Sequence, residues 1–410
     1  MKVLNINYSE IEGGAAIACN RLHKAFLECK INSLLLVNNK NTNDRTVIEI
    51  NNNYFFKKIF SKIINILLSK FDKTYHSISY FNSTVLNKIE EINPDIVHLN
   101  WIGNEMISIE EISKIQRPVV WTFQDMWAFT GTEHYTFKKN YFYSYKKKKN
   151  NFNFFSFIFN WTWNRKKKFF KKNLHIVCSS KWMKTQVFNS SIFYKNKNIT
   201  IIPNCLDFKR WKPFDKLISR KFLKLPYLKK YILFVSSNGS DDERKGFNFL
   251  LKAIEELNIK NLHLIVVGKL SDFHRRVIPI NFTVFDEIKN TEIDFLIKIY
   301  SASDLIVVPS LMESFGQVVV EAASCNVPAV VFNNTGLTDI VQHRKNGYVA
   351  KFKNYKDLAN GIRWCLKKNE LKKKLRIKTA KKFSSDIVAN KYISLFKDIL
   401  KYNKFSRNVL

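Results

Sequence analysis

Two glutamates eight positions apart, Glu313 and Glu321, enclose the stretch whose residue types and spacing best suit chemistry. The apolar run Leu305–Val308 before them predicts a strand, and a helix is expected to begin near Gly316. Open α/β sheets bind ligands at the carboxyl ends of their strands, and the N–H groups at a helix start bind anions. Carboxylates beside such amides accept hydrogen bonds from hydroxyl groups, so the stretch predicts a site for a nucleotide-diphosphate sugar. The residues expected to contact this ligand are Glu313, Phe315, Gly316, Gln317, Val318 and Glu321.

A basic turn, Arg244-Lys245-Gly246, follows the predicted strand Ile232–Val235 and opens another helix. Cations in such a loop can neutralise a diphosphate. The alternative is an ordinary solvated position, because the whole chain is rich in lysine.

Two glycine features suggest close approach of the backbone to a ligand. Gly13-Gly14 follows the predicted strand Val3–Asn7 and opens a helix, where glycine permits contact with an anion. A purely structural turn is the alternative, and no P-loop sequence follows. Gly336 stands in a similar turn after the predicted strand Ala329–Phe332 and is expected to border the same site as Glu313.

These turns need strands to position them, and ten short apolar runs alternate with segments of helix length. This alternation predicts parallel βαβ units and an α/β fold, and ten strands are better placed in two sheets than in one. The junction between the two domains is expected near residues 195–215. The predicted strands are Val3–Asn7, Ser33–Val37, Ile96–Leu99, Val119–Thr122, Ile176–Cys178, Thr200–Ile202, Ile232–Val235, His263–Val267, Leu305–Val308 and Ala329–Phe332.

The composition excludes several classes of protein. The chain has 410 residues, 46% hydrophobic and 25% charged, which is typical of globular domains and not of disordered or collagen-like chains. Its cysteines and histidines are scattered without zinc-ligand spacing, so no metal site is predicted. No run reaches the roughly 18 apolar residues of a membrane span, and the apolar N-terminal stretch is too short for a signal peptide, so a cytoplasmic location is expected.

The net charge of +34 favours an anionic partner, although base-composition bias would also enrich lysine. Phe55–Phe71 predicts a basic amphipathic helix, which would either bind a membrane surface or pack on the core. Lys138–Lys172 is basic and aromatic without acidic residues. It suits a lipid interface, a solvated loop with ordinary core, or single-stranded nucleic acid. The predicted apolar face of the helix comprises Phe56, Phe60, Ile63, Ile64, Leu67 and Phe71.

The sequence resembles the retaining family-4 glycosyltransferases of the GT-B fold, closest to the branch that builds bacterial exopolysaccharide and O-antigen, including colanic-acid-type enzymes. The resemblance covers nearly the whole chain. It is carried by GGAAIACNRLHKAF from Gly13, PDIVHLNW from Pro94, VVWTFQDMWAFTG from Val119, IVCSSKWM from Ile176, IIPNCLD from Ile201, RKGFNFLLKAI from Arg244 and IYSASDLIVVPSLMESFGQVVVEA from Ile299.

This resemblance implies two Rossmann-like domains facing a central cleft. An acceptor-binding domain would span residues 1–197 and a nucleotide-sugar-binding domain residues 198–390, with a helical segment, 391–410, packing back on the first. Glu321 would hold the donor ribose, Glu313 the donor sugar, and Lys245 with Arg244 the diphosphate, over which Gly13-Gly14 would close. Catalytic roles fall to Glu313, Lys245 and Gln124, and acceptor-side roles to Asp125 and Trp127.

The sequence departs from the family pattern at several of these positions. Gln124 stands where the family usually has His, and glutamine cannot shuttle a proton at neutral pH. Asn238-Gly239 replaces a Gly-Arg pair whose arginine touches phosphate. Asn100 replaces a second His, and Cys205, Asn326 and Asp286 replace glycines.

The expected activity is transfer of a sugar from a nucleotide-diphosphate sugar to a lipid-linked oligosaccharide, with retention and without a metal or other cofactor, in bacterial surface-polysaccharide synthesis. The enzyme would lie on the inner face of the cytoplasmic membrane and contact its anionic surface. One alternative is a non-catalytic partner that only binds sugar nucleotide. The other, a nucleic-acid-binding protein, lacks a recognised module.

Overall fold

The computed structural model describes residues 1–50, 54–138, 154–170, 174–286, 288, 292–368 and 371–407. The chain divides into two compact units. Unit 1 comprises Met1–Pro203 together with the segment from Ala389 onward, and unit 2 comprises Asn204–Val388. None of the described helices is both long enough and apolar enough to cross a membrane.

Unit 1 contains a parallel sheet, and its strand order reverses beside the first strand. The order is β3-β2-β1-β4-β5-β6-β7, so β1 lies between the strand that follows it in the chain and a strand from much later. The strands are β1 (Lys2–Ile6), β2 (Asn32–Val37), β3 (Val47–Glu49), β4 (Ile96–Leu99), β5 (Val119–Phe123), β6 (His175–Cys178) and β7 (Ile199–Ile201). The helices of this unit are α1 (Gly14–Glu28), α2 (Tyr54–Asp72), α3 (Val85–Ile92), α4 (Ile109–Lys114), α5 (Phe154–Phe169), α6 (Lys181–Asn189) and most of α14 (Ser385–Arg407).

Unit 2 repeats this plan with the order β10-β9-β8-β11-β12-β13, again parallel, and reverses between β8 and β11. Both faces of its sheet are buried, Leu233 and Ile306 on one and Ile232 and Val307 on the other. The strands are β8 (Lys230–Val235), β9 (Leu262–Val267), β10 (Phe282–Phe285), β11 (Leu305–Val308), β12 (Ala329–Phe332) and β13 (Gly347–Ala350). The helices are α7 (Lys216–Phe222), α8 (Phe247–Glu255), α9 (Asp272–Val277), α10 (Ile293–Ala302), α11 (Gln317–Ser324), α12 (Tyr355–Lys367) and α13 (Leu371–Phe383).

The predicted α/β class with two parallel sheets is confirmed, and each of the ten predicted strands is present within two residues of its expected limits. Three edge strands, Val47–Glu49, Phe282–Phe285 and Gly347–Ala350, are not among the ten predicted runs. All three are short, and the last begins with glycine. Pairing with a buried neighbour forms them, so their own residue preferences are a weak signal.

The predicted amphipathic helix is present as α2, but the predicted apolar face is not its buried side. Phe56 is 78% exposed and Ile63 51%, whereas Ser61 and Leu68 are buried. The alternative in which the predicted face packs on the core is therefore wrong for most of its described side chains. Phe60 does pack against Phe81, with ring centroids 4.9 Å apart. The exposed apolar face of α2 consists of Phe55, Phe56, Ile59, Ile63, Ile66 and Leu67.

The described part of the basic, aromatic segment Lys138–Lys172 is largely core. Residues 139–153 and 171–172 lie outside the described residues. In α5, Phe159, Trp163 and Lys166 are buried, while Phe157 is exposed. Of the three interpretations, ordinary core fits this part best.

A chain of buried hydrogen bonds ties the last helix to the sheet of unit 1. Tyr392 OH lies 3.0 Å from Thr122 Oγ1, which lies 2.7 Å from His98 Nε2. His98 Nδ1 is 2.9 Å from Asn5 Oδ1, and Asn5 Nδ2 donates to Ser33 Oγ at 2.9 Å. This pattern suits a neutral His98 that donates through Nδ1 and accepts at Nε2. Burial lowers the pKa of His98 to about 3.

Unit 1 is expected to lose stability as the pH falls from about 6.5 towards 3. In that range the unfolded chain binds a proton at His98 that the folded chain does not, so the free energy of unfolding decreases with decreasing pH. The measurement is urea unfolding at several pH values followed by tryptophan fluorescence. His98→Gln should make the pH slope shallower by up to about 1.4 kcal/mol per pH unit. His343 is exposed, so His343→Gln is the control. Equal pH slopes of the unfolding free energy in His98→Gln and His343→Gln would contradict a buried, neutral His98.

Candidate functional site

The strand reversal of unit 2 brings the two predicted charged motifs together. Lys245 lies in the loop after β8, and Glu313 in the loop after the neighbouring β11. Lys245 Nζ is 2.7 Å from Glu313 Oε2, and the two side chains are 21% and 14% exposed. An ion pair therefore spans the crevice at the carboxyl ends of these strands, where α/β sheets bind ligands.

Backbone contacts hold these two loops against each other. Gly246 has φ +70°, and a Cβ there would lie 2.0 Å from the carbonyl oxygen of Pro309. The N–H of Leu311 donates to the carbonyl oxygen of Arg244 at 2.7 Å. The glycine of the Arg-Lys-Gly turn is therefore required for the close approach that places Lys245 beside Glu313.

Arg244 is held by an acidic neighbour in the same turn. Its guanidinium donates to Asp242 Oδ2 at 2.7 Å, and Asn238 Nδ2 donates to the same oxygen at 3.1 Å. Burial alone would raise the pKa of Asp242, but Arg244, Asn238 and Lys245 outweigh it and hold that pKa below its usual range. Asn238 supports this carboxylate and supplies no positive charge.

The helix expected near Gly316 begins at Gln317, with Gly316 as its N-cap at φ +100°. The first N–H groups of such a helix point out of its end, towards the loop that carries Glu313. The N–H of Gly336 donates to the carbonyl oxygen of Glu313 at 2.8 Å, which places Gly336 beside this loop as the sequence predicted. The structure thus brings Glu313, Gly316, Gln317 and Val318 together at one helix start.

Glu321 lies one turn further along α11 and is 6% exposed. Tyr300 OH donates to its Oε2 at 2.9 Å, a contact that sequence reasoning missed. Phe315 is buried against Phe383, with ring centroids 5.7 Å apart. Its side chain therefore belongs to the core, and only its backbone is available to a donor.

In unit 1 the Gly13-Gly14 pair stands where it was expected. Gly13 has φ +88° and is the N-cap of α1, which begins at Gly14. Apart from the chain neighbours and the backbone of the helix itself, no described atom lies within 4 Å of a Cβ built on either glycine. The start of this helix is accordingly open to close approach.

Asp125 organises the loop after β5 in the same unit. Its Oδ2 accepts hydrogen bonds from Trp101 Nε1 and His134 Nδ1, both at 2.6 Å. Its Oδ1 accepts from the N–H of Trp127 at 2.9 Å. The Trp127 side chain is buried and lines a pocket together with Gln124, Asp125 and His134. His134 was missed because a single His ten residues from Gln124 has no local signature.

Lys166 contacts the loop that follows β5. Its Nζ donates to the carbonyl oxygen of Gly131 at 2.6 Å and lies 3.8 Å from the centre of the Trp127 ring. The residue is fully buried, and burial lowers its pKa well below the usual range. Among the described residues, no three His, Cys, Asp or Glu side chains form a group suited to hold a metal.

Comparison with solved structures identifies the fold. Sucrose-phosphate synthase from Thermosynechococcus elongatus aligns with a TM-score of 0.70 at 16% identity, covering 98% of this chain and 100% of that one. Anabaena HepE in complex with UDP-glucose aligns with a TM-score of 0.67 at 16% identity, covering 97% and 100%. The chain has the GT-B type of fold, with two Rossmann-like domains, as the sequence predicted.

Comparison with families and curated proteins points to one group. Residues 215–382, within unit 2, match the family described as Glycosyl transferases group 1. An uncharacterized glycosyltransferase of Methanocaldococcus jannaschii is 29% identical over 161 residues, 36% of this chain and 38% of the relative. The capsular polysaccharide biosynthesis glycosyltransferase CapM of Staphylococcus aureus is 24% identical over 244 residues, 55% of this chain and 62% of the relative. This chain therefore matches less than two thirds of either relative's length.

Glu321→Ala is expected to weaken nucleotide-sugar binding by about 1–3 kcal/mol, because buried hydroxyl contacts are left unmade. Tyr300→Phe is the matched control, since it removes the hydrogen bond to Glu321 and leaves the carboxylate in place. Its effect on affinity should be the smaller one. Isothermal titration calorimetry with UDP-, GDP- and dTDP-sugars measures both variants, and equal affinity of Glu321→Ala and wild type would contradict the assignment.

Proposed function

We propose that this protein is a glycosyltransferase that moves a sugar from a nucleotide-diphosphate sugar to a hydroxyl group of a lipid-linked oligosaccharide. The observation that carries the proposal is the Lys245–Glu313 pair beside the start of α11, with Glu321 one turn further along. Cations and helix N–H groups suit the diphosphate, and carboxylates suit the sugar and ribose hydroxyls. Glu321 would hold the ribose and Glu313 the donor sugar.

The reaction proposed is a transfer with retention at the anomeric carbon and without a metal. The bond between that carbon and the diphosphate oxygen breaks, and the acceptor oxygen bonds to the carbon from the same face. The departing diphosphate takes the acceptor's proton. Lys245 and Arg244 stabilise the charge on the diphosphate, so catalysis is chiefly positioning and electrostatic stabilisation.

The similar proteins support a role in bacterial surface polysaccharide, through capsule, O-antigen or exopolysaccharide synthesis. CapM is named for capsular polysaccharide biosynthesis, and a protein from the cps region of Klebsiella pneumoniae is 23% identical over 210 residues, 50% of this chain. HepE has been crystallised with UDP-glucose, which supports a nucleotide sugar as donor. Family 4 and its colanic-acid-type branch are the placement that the motifs favour.

Lys245→Ala is expected to reduce turnover by about 10²–10³-fold, because the charge developing on the diphosphate loses a preorganised partner. Lys252→Ala, at an exposed position in the helix that follows Lys245, is the control and should turn over like wild type. Transfer is measured by mass spectrometry with a panel of nucleotide sugars and lipid-linked glycans from capsule-producing bacteria, and proton NMR of the product reports retention.

The transfer assay distinguishes the proposed glycosyltransferase from a non-catalytic protein that only binds sugar nucleotide. Wild-type protein that binds a nucleotide sugar but neither hydrolyses nor transfers it would favour the non-catalytic partner. The reason to consider that alternative is that Gln124 replaces a His and Asn238-Gly239 replaces a Gly-Arg pair. Equal turnover of Lys245→Ala and Lys252→Ala would contradict the role of the ion pair.

We further propose that unit 1 binds the anionic inner surface of the cytoplasmic membrane through α2. Its exposed apolar face is a patch of six side chains and not a set of isolated exposed residues. Exposed apolar patches of this kind mark contact surfaces. Lys58 and Lys62 are exposed on the same helix, beside this face. Apolar side chains flanked by lysines suit the boundary between headgroups and acyl chains.

Binding to vesicles is expected to require both parts of this surface. Phe56→Ser with Ile63→Ser should abolish most of the binding, and Lys58→Glu with Lys62→Glu should weaken it, since each lysine near an anionic surface contributes about 1 kcal/mol. Lys381→Glu with Lys382→Glu, exposed in unit 2, matches the change in net charge and serves as control. Binding is measured by flotation with vesicles of neutral lipid and with vesicles that contain anionic phosphatidylglycerol. Equal recovery with both vesicle types would contradict the electrostatic role of the lysines.

A further inference from the structure

Helix α7 of unit 2 exposes its apolar side chains and buries polar ones. Leu217 is 59% exposed and Ile218 66%, and Phe222, about one turn after Ile218, is also exposed. Ser219 and Arg220 of the same helix are buried. A surface helix ordinarily turns its apolar side to the core and its polar side to water. The orientation of α7 is the reverse, so it needs a physical cause.

A buried ion pair provides that cause. The guanidinium group of Arg220 donates to Asp304 Oδ2 at 2.9 Å and to the carbonyl oxygen of Ala302 at 3.1 Å. Lys216, in the first turn of α7, donates to the other carboxylate oxygen of Asp304, which is itself buried. Turning α7 to bury its apolar side would take both cations away from this carboxylate, which is strongly unfavourable in a protein interior. The apolar side chains of α7 therefore remain at the surface.

The residue that precedes α7 by two positions extends this apolar side. Phe214 is exposed, and its ring lies near that of Phe222, because one ammonium group contacts both. Lys298 Nζ lies 3.9 Å from the centre of the Phe222 ring and 5.4 Å from that of Phe214. The two aromatic rings therefore belong to one patch.

The turn that follows α7 extends the patch in turn. Arg220 Nη1 donates to the carbonyl oxygen of Tyr227 at 2.8 Å, which places this turn beside the helix. Tyr227 is exposed, and Leu228 is 90% exposed. A contiguous exposed apolar patch marks a contact surface. We call it the α7 surface, and its members are Phe214, Leu217, Ile218, Phe222, Tyr227 and Leu228.

The chain around the α7 surface is strongly basic. The stretch Lys209–Lys230 contains nine Lys or Arg residues and one acidic residue. Lys221, in the last turn of α7, and Lys224, just after it, are exposed. Helix α10 packs against α7 and adds two exposed acidic residues at its start, Glu292 and Asp294. Basic residues remain in excess, so the charge favours an anionic partner.

Among anionic partners, a lipid surface fits these residues better than a protein. Protein interfaces are depleted in lysine, whereas the exposed cations at the end of α7 are Lys221 and Lys224. Lysine lays its apolar stem along hydrocarbon and reaches the headgroups with its ammonium group. Aliphatic and aromatic side chains flanked by lysines suit the boundary between headgroups and acyl chains. A second copy of the same surface would bring lysine against lysine, which is repulsive.

We infer that the α7 surface binds an anionic lipid surface, with Ile218, Phe222 and Leu228 at the acyl-chain boundary and Lys221 and Lys224 at the headgroups. This contact belongs to unit 2 and is additional to the one proposed for α2 of unit 1. It does not rest on the proposed transferase activity, because exposure and charge alone carry it.

Removal of two apolar side chains from the full chain tests this inference. Ile218→Ser with Leu228→Ser should lower partition into vesicles that contain phosphatidylglycerol by about tenfold or more, because both side chains leave the acyl-chain boundary. Val277→Ser with Ile377→Ser is the matched control, since both residues are exposed aliphatic residues of unit 2 outside the α7 surface. Flotation measures partition, and the melting temperature checks folding. Equal partition of the two double variants would overturn the inference.

A fluorescent probe reports insertion directly, even while α2 holds the protein on the vesicle. An NBD group attached at Leu228→Cys should shift its emission to the blue when anionic vesicles are added. The same group at Ile377→Cys should not, although both positions are exposed in unit 2. Wild-type protein treated with the label gives the background from the native cysteines. Equal emission shifts at the two positions would overturn the inference.

The lysines are tested separately from the apolar side chains. Lys221→Gln with Lys224→Gln should weaken binding to anionic vesicles by about fivefold for each lysine and leave binding to neutral vesicles unchanged. Lys381→Gln with Lys382→Gln, exposed in α13, is the control of equal charge. Equal losses in the two double variants would show that only the net charge of the chain acts, and would overturn the role of the α7 lysines.

Sedimentation velocity of the same variants tests the other occupants of the α7 surface. A wild-type dimer that Ile218→Ser with Leu228→Ser converts to a monomer, with vesicle binding unchanged, would assign the surface to a second copy and overturn the inference. A monomeric wild type whose vesicle binding is also unchanged by this substitution would leave a protein partner as the occupant and likewise overturn it. Weaker vesicle binding at an unchanged oligomeric state would support the lipid contact.

Discussion

The strand order of each sheet reverses beside its first strand, and this reversal determines where a crevice for a ligand can form. In both units the second strand lies on one side of the first, and a strand from later in the chain lies on the other. Helices that follow these strands cover opposite faces, so the loops at their carboxyl ends separate and leave a crevice. In unit 2 the loops after β8 and β11 meet through Lys245 and Glu313, and in unit 1 the loops after β1 and β4 meet through Tyr8 and Trp101.

The two crevices share a backbone geometry, but their loops contribute different charged groups. In unit 2 each cation has a carboxylate partner, Arg244 with Asp242 and Lys245 with Glu313. An arriving diphosphate would compete for cations that are already positioned, so little side-chain ordering is needed on binding. In unit 1 Asp125 is occupied by the N–H groups of tryptophan and histidine, which makes it a positioning group.

The sequence predicts best where a few consecutive residues build the feature. The strands, the glycine turn before Phe247, Glu313 in the loop before α11 and Glu321 in α11 are of this kind, because the required backbone and side chains lie within one strand–loop–helix. His134 and Tyr300 could not be found in this way, since each meets its partner only when distant segments fold together: Tyr300 comes from α10 and Glu321 from α11. The prediction of which face of α2 is buried was wrong for a related reason. Most of its circumference is apolar, so periodicity cannot decide which side packs on the core.

The excess of basic residues shows why composition alone cannot assign a function. Lys166 contributes to the same total as Lys58, yet it is fully buried with its Nζ against carbonyl oxygens, where it joins α5 to the loop of Asp125. Lys245 is held in a crevice by a carboxylate, and Lys58 is exposed beside an apolar surface. One residue type therefore supports a loop, pairs with a carboxylate in a crevice, and borders an exposed apolar face. Only the partner of each lysine distinguishes these cases, and partners are set by the packing of segments that are far apart in the chain.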